Sequence, residues 1–382
     1  MLILLDCRPL QQDPGSEKSR FIISCVKLLS GEQGFEWLLL ADGAFATGWL
    51  PAGPGFRLLT RRSFSGKGGW KWWYDWRIPL TAKRYKPDLV ITTAGLTAGR
   101  MQVSQGVWMP ERADGKGRVK KGYSGFYRKR LAASLQQARV IFSFSEQEKE
   151  YLISQAAGAP VADKILVVPP AAGEHFPPGP EEKETLKETY AEGKEYFFAA
   201  AGGATQEEIV ELLKAFSLFK KRQRSNMQLV LTGKDPTSDK DLGELLATYK
   251  YRGDVHWAGP LSEEDGFRLA GAAYALVFPF GRDTLGTGIL DAWNAGVPVI
   301  TTDRTCLPDT ADTVLYARPG DPAALAGQLM LIYKDESLRN RLITNGTQQG
   351  QSFSLHHSAG LVRAGIRGQG STSKISKSAI KN

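Results

Sequence analysis

The residues best suited to chemistry lie in one stretch, 275–303, ALVFPFGRDTLGTGILDAWNAGVPVITTD. It reads as a strand, a glycine loop, a helix, a Gly-Val-Pro turn and a second strand. In open α/β sheets, ligands bind beyond the carboxyl ends of the strands. Gly286 and Gly288 would let backbone N–H groups approach an anion closely, and the helix that follows points its positive end at the same place. Asp283 and Asp291 flank the loop. The first can accept hydrogen bonds from sugar hydroxyls, and the second can do so from a ribose diol. Two other readings stay open on these residues. The glycines can be plain turn residues, with carboxylates that are solvated or favoured at a helix start. Gly286-Thr287-Gly288, with Asp303 after the next strand, also resembles a dinucleotide fingerprint. That pattern lacks its third glycine, and Asp291 would spoil the close packing the glycine provides, so an NAD-dependent enzyme is disfavoured.

The rest of the chain must supply a scaffold. Short apolar runs alternate with helical patterns from end to end. Strands are expected at 2–5, 37–41, 88–93, 140–144 and 165–168, then at 196–201, 228–232, 255–257, 274–278, 298–302 and 314–316. They are apolar on both faces, as strands between helix layers must be. Strand and helix alternating in this way imply parallel sheets with right-handed crossovers. The Pro- and Gly-rich segment 169–180, PPAAGEHFPPGP, reads as a linker between two βα halves. Domains are therefore expected at 1–170 and 181–350 around a linker at 171–180. A C-terminal helix at 351–366 is expected to cross back to the first domain, and a basic tail at 367–382 to be disordered. Ser145-Glu146-Gln147-Glu148 and Thr205-Gln206-Glu207-Glu208 read as capping boxes that start helices.

Composition removes several classes. The chain has 382 residues, 42% hydrophobic and 23% charged, which suits a globular protein of two or three domains. Cys7, Cys25 and Cys306 show no paired or metal-binding spacing, so neither a disulfide scaffold nor a structural zinc site is expected. No apolar run approaches the ~20 residues of a membrane span. The start, MLILLDCRPL, lacks a signal-peptide pattern, and a cytoplasmic protein is expected. The net charge of +9 favours anionic partners. Nucleic acid is not expected among them, because no helix-turn-helix, RNP-type or zinc-finger pattern shapes that charge. Asp239-Lys240-Asp241 reads as polar surface.

DTLGTGILDAWNAGVPVI resembles the signature of the retaining glycosyltransferases of family 4, Glu-Gly-Phe-Gly, three residues, Glu-Ala, then Gly-Val-Pro-Val. Residues 274–279, Leu307-Pro308-Asp309, LYARPGDP and DESLRNRLITNG also resemble that family in their places. LLDCRPL, KPDLVIT, VIFSFSEQEKEYL and KILVVPP are similar more loosely. The resemblance implies a GT-B fold, an α/β architecture of two Rossmann-like βαβ domains facing a central cleft. The second domain would bind a nucleotide-sugar and the first a glycan or lipid-linked acceptor. It implies sugar transfer with retention, in the synthesis of a cell-surface polysaccharide or glycolipid, with no metal and no cofactor beyond the donor itself. Asp283 would meet the donor sugar. Thr284, Leu285, Gly286, Thr287 and Gly288 would line the donor, with Gly202 and Gly203, and Asp291 would take the ribose. Gly259 and Leu261 are where base contacts are expected.

The sequence departs from that pattern in three places. Both signature Glu residues are Asp, shorter by about 1.5 Å of reach. The loop after the strand at 196–201 lacks the family's Arg and Lys. Glu207 stands near the expected Lys, where a carboxylate would repel a diphosphate. Gln105-Gly106-Val107 stands near the family's His, and His175, His256, His356 and His357 all read as structural or solvated. Arg20, Lys18, Lys234 and Arg282 are the cations that could hold the diphosphate instead. The alternative is a degenerate, non-catalytic glycosyltransferase-like protein that binds a glycan or a partner.

One further feature stands apart. GKGGWKWWYDWRIP carries Trp70, Trp72, Trp73 and Trp76 among basic residues, and Lys120, Lys121, Arg128, Lys129 and Arg130 form a second basic cluster. Trp beside Lys and Arg suits a membrane–water interface. This predicts peripheral docking on an anionic membrane, at the inner face of the plasma membrane. The competing reading packs these Trp residues in the core.

Overall fold

A computed structural model describes residues 1–30, 34–62, 69–99, 101–109, 124–173, 175–202, 204–233, 240–278, 285–301, 307 and 310–368. The chain divides into two compact units. The first holds Met1–Ala171, Asp283–Leu285 and the chain from Ser354 onward, and the second holds Ala172–Arg282 and Gly286–Phe353.

In the first unit, β1 (Leu2–Asp6), β2 (Glu36–Asp42), β3 (Phe56–Arg61), β4 (Leu89–Thr92), β5 (Ser104–Trp108), β6 (Val140–Ser143) and β7 (Ile165–Val167) form one parallel sheet. Its order is β3-β2-β1-β4-β5-β6-β7. Helices α1 (Arg8–Gln11) and α2 (Glu17–Ser30) follow β1. Helix α3 (Gly69–Trp72), a π-helical turn (Trp73–Arg77) and α4 (Ile78–Tyr85) join β3 to β4. Helices α5 (Ser124–Gln137) and α6 (Glu146–Gln155) flank β6. Ile3, Leu4 and Leu5 are all fully buried, because helices cover both faces of the sheet. On one face Leu38, Leu40 and Leu59 pack with Trp73, Ile78 and Leu135. On the other, Phe21 of α2 meets Trp108 and Phe144 edge-on.

The second unit repeats the plan with β8 (Tyr196–Ala200), β9 (Gln228–Thr232), β10 (Val255–Trp257), β11 (Ala275–Phe278), β12 (Val299–Thr301) and β13 (Val314–Tyr316), in the order β10-β9-β8-β11-β12-β13. Its helices are α7 (Pro180–Ala191), α8 (Gln206–Gln223), α9 (Lys240–Thr248), α10 (Glu263–Gly271), α11 (Thr287–Asn294), α12 (Pro322–Lys334) and α13 (Glu336–Gly350). Ile209, Leu212, Phe216 and Phe219 give α8 its buried face, in one core with Leu325 and Leu329 of α12. Phe267 of α10 and Leu290 and Trp293 of α11 share the core on the opposite face. The final helix, α14 (Leu355–Arg367), belongs to the first unit. Gly365 lies so close to Phe142 that a Cβ would fall 2.8 Å from its ring, and Arg139 donates to the Ile366 carbonyl.

Two strands carry no clear apolar run and escape a reading of the sequence. β3 is an edge strand with only Leu59 buried, and β5 is SQGVW. Gly106 in β5 lies tight against the next strand, since a Cβ there would sit 3.0 Å from Val140 Cγ1. The capping box at Ser145 is half of one. The Ser145 hydroxyl accepts from Glu148 N–H, but Glu148 Oε2 accepts from Phe144 N–H rather than from Ser145. At Thr205 and Glu208 the box is reciprocal. The tail beyond Gly368 lies outside the described residues.

Candidate functional site

In the second sheet the chain runs outward from β8 to β9 and β10, then returns to β11 beside β8 and continues to β12 and β13. The connections from β8 and β11 therefore lead to opposite sides of the sheet, and in such sheets a crevice forms at the carboxyl ends of the two strands where the order reverses. Gly202 leaves β8 there, and Gly286 to Gly288 start α11 after β11.

The head of α11 is shaped by glycine. Gly286 is the N-cap, with φ +76°, and a Cβ on it would fall 2.8 Å from Leu307 Cγ. Its carbonyl accepts from the N–H groups of Ile289 and Leu290 at 3.0 and 3.1 Å. The earlier amides, of Thr287 and Gly288, are first-turn donors with no carbonyl one turn back to bond within the helix. A Cβ on Gly288 would meet nothing within 4 Å among the described residues. The helix thus presents donors at one end, with space over Gly288 among the described residues, while Ile289, Leu290, Ala292 and Trp293 anchor it in the core. Leu285, just before it, is buried and faces no solvent.

Asp291 shares a face with Thr287 and Gly288, four and three residues back. Its Oδ1 accepts the Gly173 N–H at 3.0 Å. The segment after β7 therefore reaches the carboxylate expected to take a ribose. No sequence signal announces this contact, because it is made by a backbone amide.

The neighbouring strand ends are tied together through glycines. Gly233, after β9, has φ +127° and passes so close to β8 that a Cβ would sit 3.2 Å from the Ala201 and Gly202 backbone. Its N–H donates to Gly259 O at 3.0 Å, and its carbonyl accepts from Trp257 Nε1 at 3.3 Å. Gly259 takes φ +75° with nothing within 4 Å of its would-be Cβ, as is true of Gly202, among the described residues. Leu261 nearby is half-buried. Glu207 is exposed in the first turn of α8, where the helix dipole favours an acid. Asp283, Thr284, Gly203, Lys234 and Arg282 lie outside the described residues.

The first sheet has its own point of reversal, between β1 and β4. Here the strand end is filled by side chains. Asp6 is buried at 1% exposure, and its oxygens accept from Trp73 Nε1 at 2.9 Å, Tyr74 OH at 3.2 Å and Arg8 N–H at 3.3 Å. Burial pushes its carboxyl up to about 6, against these hydrogen bonds and the nearby Arg8 charge, which pull it down. Arg8 is itself buried, paired with Asp42 at 3.1 Å, donating to Gly69 O at 3.0 Å, and lying 4.6 Å from the Trp70 ring centroid. Sequence reading passed over this cluster, although an acid ending a strand one residue before Cys-Arg was its signal. Lys18 is buried here too, with its ammonium bonded to the Thr93 carbonyl, so it stands as a tie between α2 and the end of β4. Arg20 is half-buried in α2. Gln105 is held by the Ala98 N–H at 2.7 Å.

The structure corrects the expectation that four Trp residues face a membrane. Trp73 is fully buried, because its indole N–H serves Asp6. Trp70 and Trp72 are half-buried against the same core, and only Trp76 is well exposed. In the second cluster Arg130 pairs with Asp75 and Lys129 is exposed. The Arg128 side chain lies outside the described residues.

Among the described residues no group of three or more His, Cys, Asp or Glu side chains is placed to hold a metal ion, and no helix is long and apolar enough to cross a membrane. His256 bonds Gln228 at 2.8 Å, His175 packs on Phe267, and His356 and His357 are exposed.

Comparison with known proteins fits this architecture. Residues 181–349 match the family described as Glycosyl transferases group 1. The chain is 27% identical over 232 residues to O-antigen chain mannosyltransferase B of Escherichia coli, a match that covers 60% of each chain. The matched part thus spans about 60% of that relative's length. Its fold is that of WaaG, a glycosyltransferase involved in lipopolysaccharide biosynthesis, with TM-score 0.70, 15% identity, and 96% of this chain and 99% of that chain covered. It is likewise similar to Anabaena Alr3699/HepE in complex with UDP and glucose, with TM-score 0.69, 14% identity, and 96% and 99% covered. The chain therefore has the GT-B fold.

Proposed function

We propose that this chain, whose second unit is a glycosyl transferases group 1 domain, moves a hexosyl group from a nucleotide-sugar to a glycan or lipid-linked acceptor. The product would be a cell-surface polysaccharide or glycolipid. One observation carries the reading: the head of α11 offers first-turn amides, with space over Gly288 among the described residues, where the strand order reverses between β8 and β11. Mannose is the first sugar to try, since the relative is a mannosyltransferase of the O-antigen chain.

In this reading the diphosphate lies over Gly288, where the Thr287 and Gly288 amides and the helix dipole meet the charge that grows as the glycosidic bond breaks. Asp291 receives the ribose hydroxyls alongside the Gly173 amide it already holds. Asp283 meets the donor sugar. Gly202 leaves room for it among the described residues, Gly203 follows in the chain, and the turn at Gly259 and Leu261 receives the base. Counter-charge comes first from Arg282 and Lys234, which follow β11 and β9 in the chain. Arg20 and Lys18, both in α2, rank next. Transfer proceeds with retention and without a metal.

The test offers ADP-, GDP- and UDP-sugars with a mannose-terminated, lipid-linked oligosaccharide, with and without EDTA. The product's anomeric configuration is then read by NMR. Transfer from one nucleotide-sugar, with retention and unaffected by EDTA, is the expected result. No transfer from any donor contradicts the activity, inversion contradicts the mechanism, and loss with EDTA contradicts metal independence.

A further inference from the structure

We infer that the face formed by the π-helical turn, α4 and the edge strand β3 docks the first unit on an anionic lipid bilayer. The inference deepens the proposed function by naming where a lipid-linked acceptor is met, and rests on it for that purpose alone.

The face pairs an apolar anchor with a cationic surround. Trp76 and Leu80, four residues apart on one side of the helix, are 62% and 55% exposed. The opposite side, with Trp73, Ile78 and Ala82, is committed to the core, so the helix cannot turn to hide them. Two large apolar side chains are thus held in water by the packing of their neighbours.

The charges around them are of one sign. From Gly69 to Lys86, Lys71, Arg77, Lys83, Arg84 and Lys86 face Asp75 alone, and β3 adds Arg57 and Arg61 with no acid. The carboxylates within reach are taken, Asp75 by Arg130 and Asp42 by Arg8. Contacts join the strand and helix into one patch. Arg57 and Arg84 both lie over the Tyr85 ring, at 5.1 and 5.6 Å. Arg77 stacks on Trp72 at 4.4 Å and reaches the Arg62 carbonyl at 3.5 Å. Burial first and the Arg61 charge second pull Arg77 below its ordinary value, with the Asp42 charge acting the other way. An anionic plane offsets the repulsion between Arg77 and Arg61.

A bilayer suits this arrangement better than a nucleic acid. Interfacial Trp and a neighbouring Leu enter the headgroup region, while Lys and Arg stems lie along it and reach lipid phosphates. A phosphate backbone would leave Leu80 in water. Lys83 and Arg84, one turn beyond Leu80, are placed to meet the headgroups as Trp76 inserts.

The experiment uses the full chain with vesicles of phosphatidylcholine alone and of phosphatidylcholine mixed with phosphatidylglycerol, read by co-sedimentation. The wild-type chain is expected to bind only the mixed vesicles, less so as salt rises. Trp76→Ser with Leu80→Ser, and separately Lys83→Glu with Arg84→Glu, should each weaken binding by about tenfold or more. Both variants should keep the wild-type melting temperature and nucleotide response, since all four side chains are exposed. Absence of binding to the mixed vesicles, or binding of both variants at wild-type strength, overturns the proposal. A chain that binds vesicles but responds to no nucleotide leaves the docking face standing and contradicts the proposed function.

Discussion

The two sheets share a strand order, yet their points of reversal are built in opposite ways. Where β1 meets β4, the crevice is filled by Asp6, Arg8, Asp42, Trp73 and Tyr74, all buried and bonded to one another or to nearby backbone. Where β8 meets β11, the same topological place holds Gly202 and Gly288, around which no described atom lies close. One end is made of side chains that satisfy each other. The other is made of glycines that leave backbone donors to a guest. The topology offers a site at both places, and residue size at the strand ends decides which one stays open.

Substitutions that break this contrast should cost most in the filled end. Asp42→Ala strands the buried Arg8 guanidinium, and should destabilise the first unit by about 3–5 kcal/mol in urea unfolding. A loss too small to measure would mean that Arg8 is solvated. Asp6 sharpens the point through pH. Its carboxyl is held up to about 6, above its unfolded value, so its contribution is full below that unfolded value. The contribution is then lost as pH rises through about 6. Stability should fall across that window by about 3 kcal/mol, and Asp6→Asn should flatten the slope.

The open end should respond through ligand rather than stability. Gly286→Ala meets both a left-handed φ and Leu307, and should lower the melting point through a cost of about 1–2 kcal/mol. Gly288→Ala should leave stability unchanged or raise it by up to about 1 kcal/mol, since nothing described stands in its way. Equal losses at the two positions would erase the distinction between them. Thr205→Ala, which removes the N-cap of α8, should cost about 1 kcal/mol in thermal unfolding.

Much of this was legible in the residues. Buried strands such as β4, β6 and β9 fall on their apolar runs because helices cover both faces, and continuous apolarity is what that burial demands. β3 was hidden because an edge strand needs few apolar residues. β5 was hidden because Gly106, which lies tight against Val140, carries no strand preference. At the site, Gly286 and Gly288 stood out through spacing, and the structure distinguishes them, one by backbone conformation and one by space. The Gly173 contact to Asp291 and the Trp73 bond to Asp6 were not legible. Each joins residues distant in sequence, one of them through a main-chain amide that any residue could supply. The Trp-rich segment misled for a related reason: composition alone does not say that the π-helical turn rotates Trp73 inward and leaves Trp76 outside.

The account rests most directly on the open crevice in the second unit being a nucleotide site. The deciding measurement is a thermal-shift comparison of the wild-type chain and Gly288→Leu with ADP, GDP, UDP and their sugar conjugates. At about a hundred times the dissociation constant, a bound nucleotide should stabilise the wild type by about 2.7 kcal/mol. The leucine should fill the space over α11 and abolish that shift, while the ligand-free melting point stays put. No shift with any nucleotide, or a shift that survives in the variant, would contradict the claim.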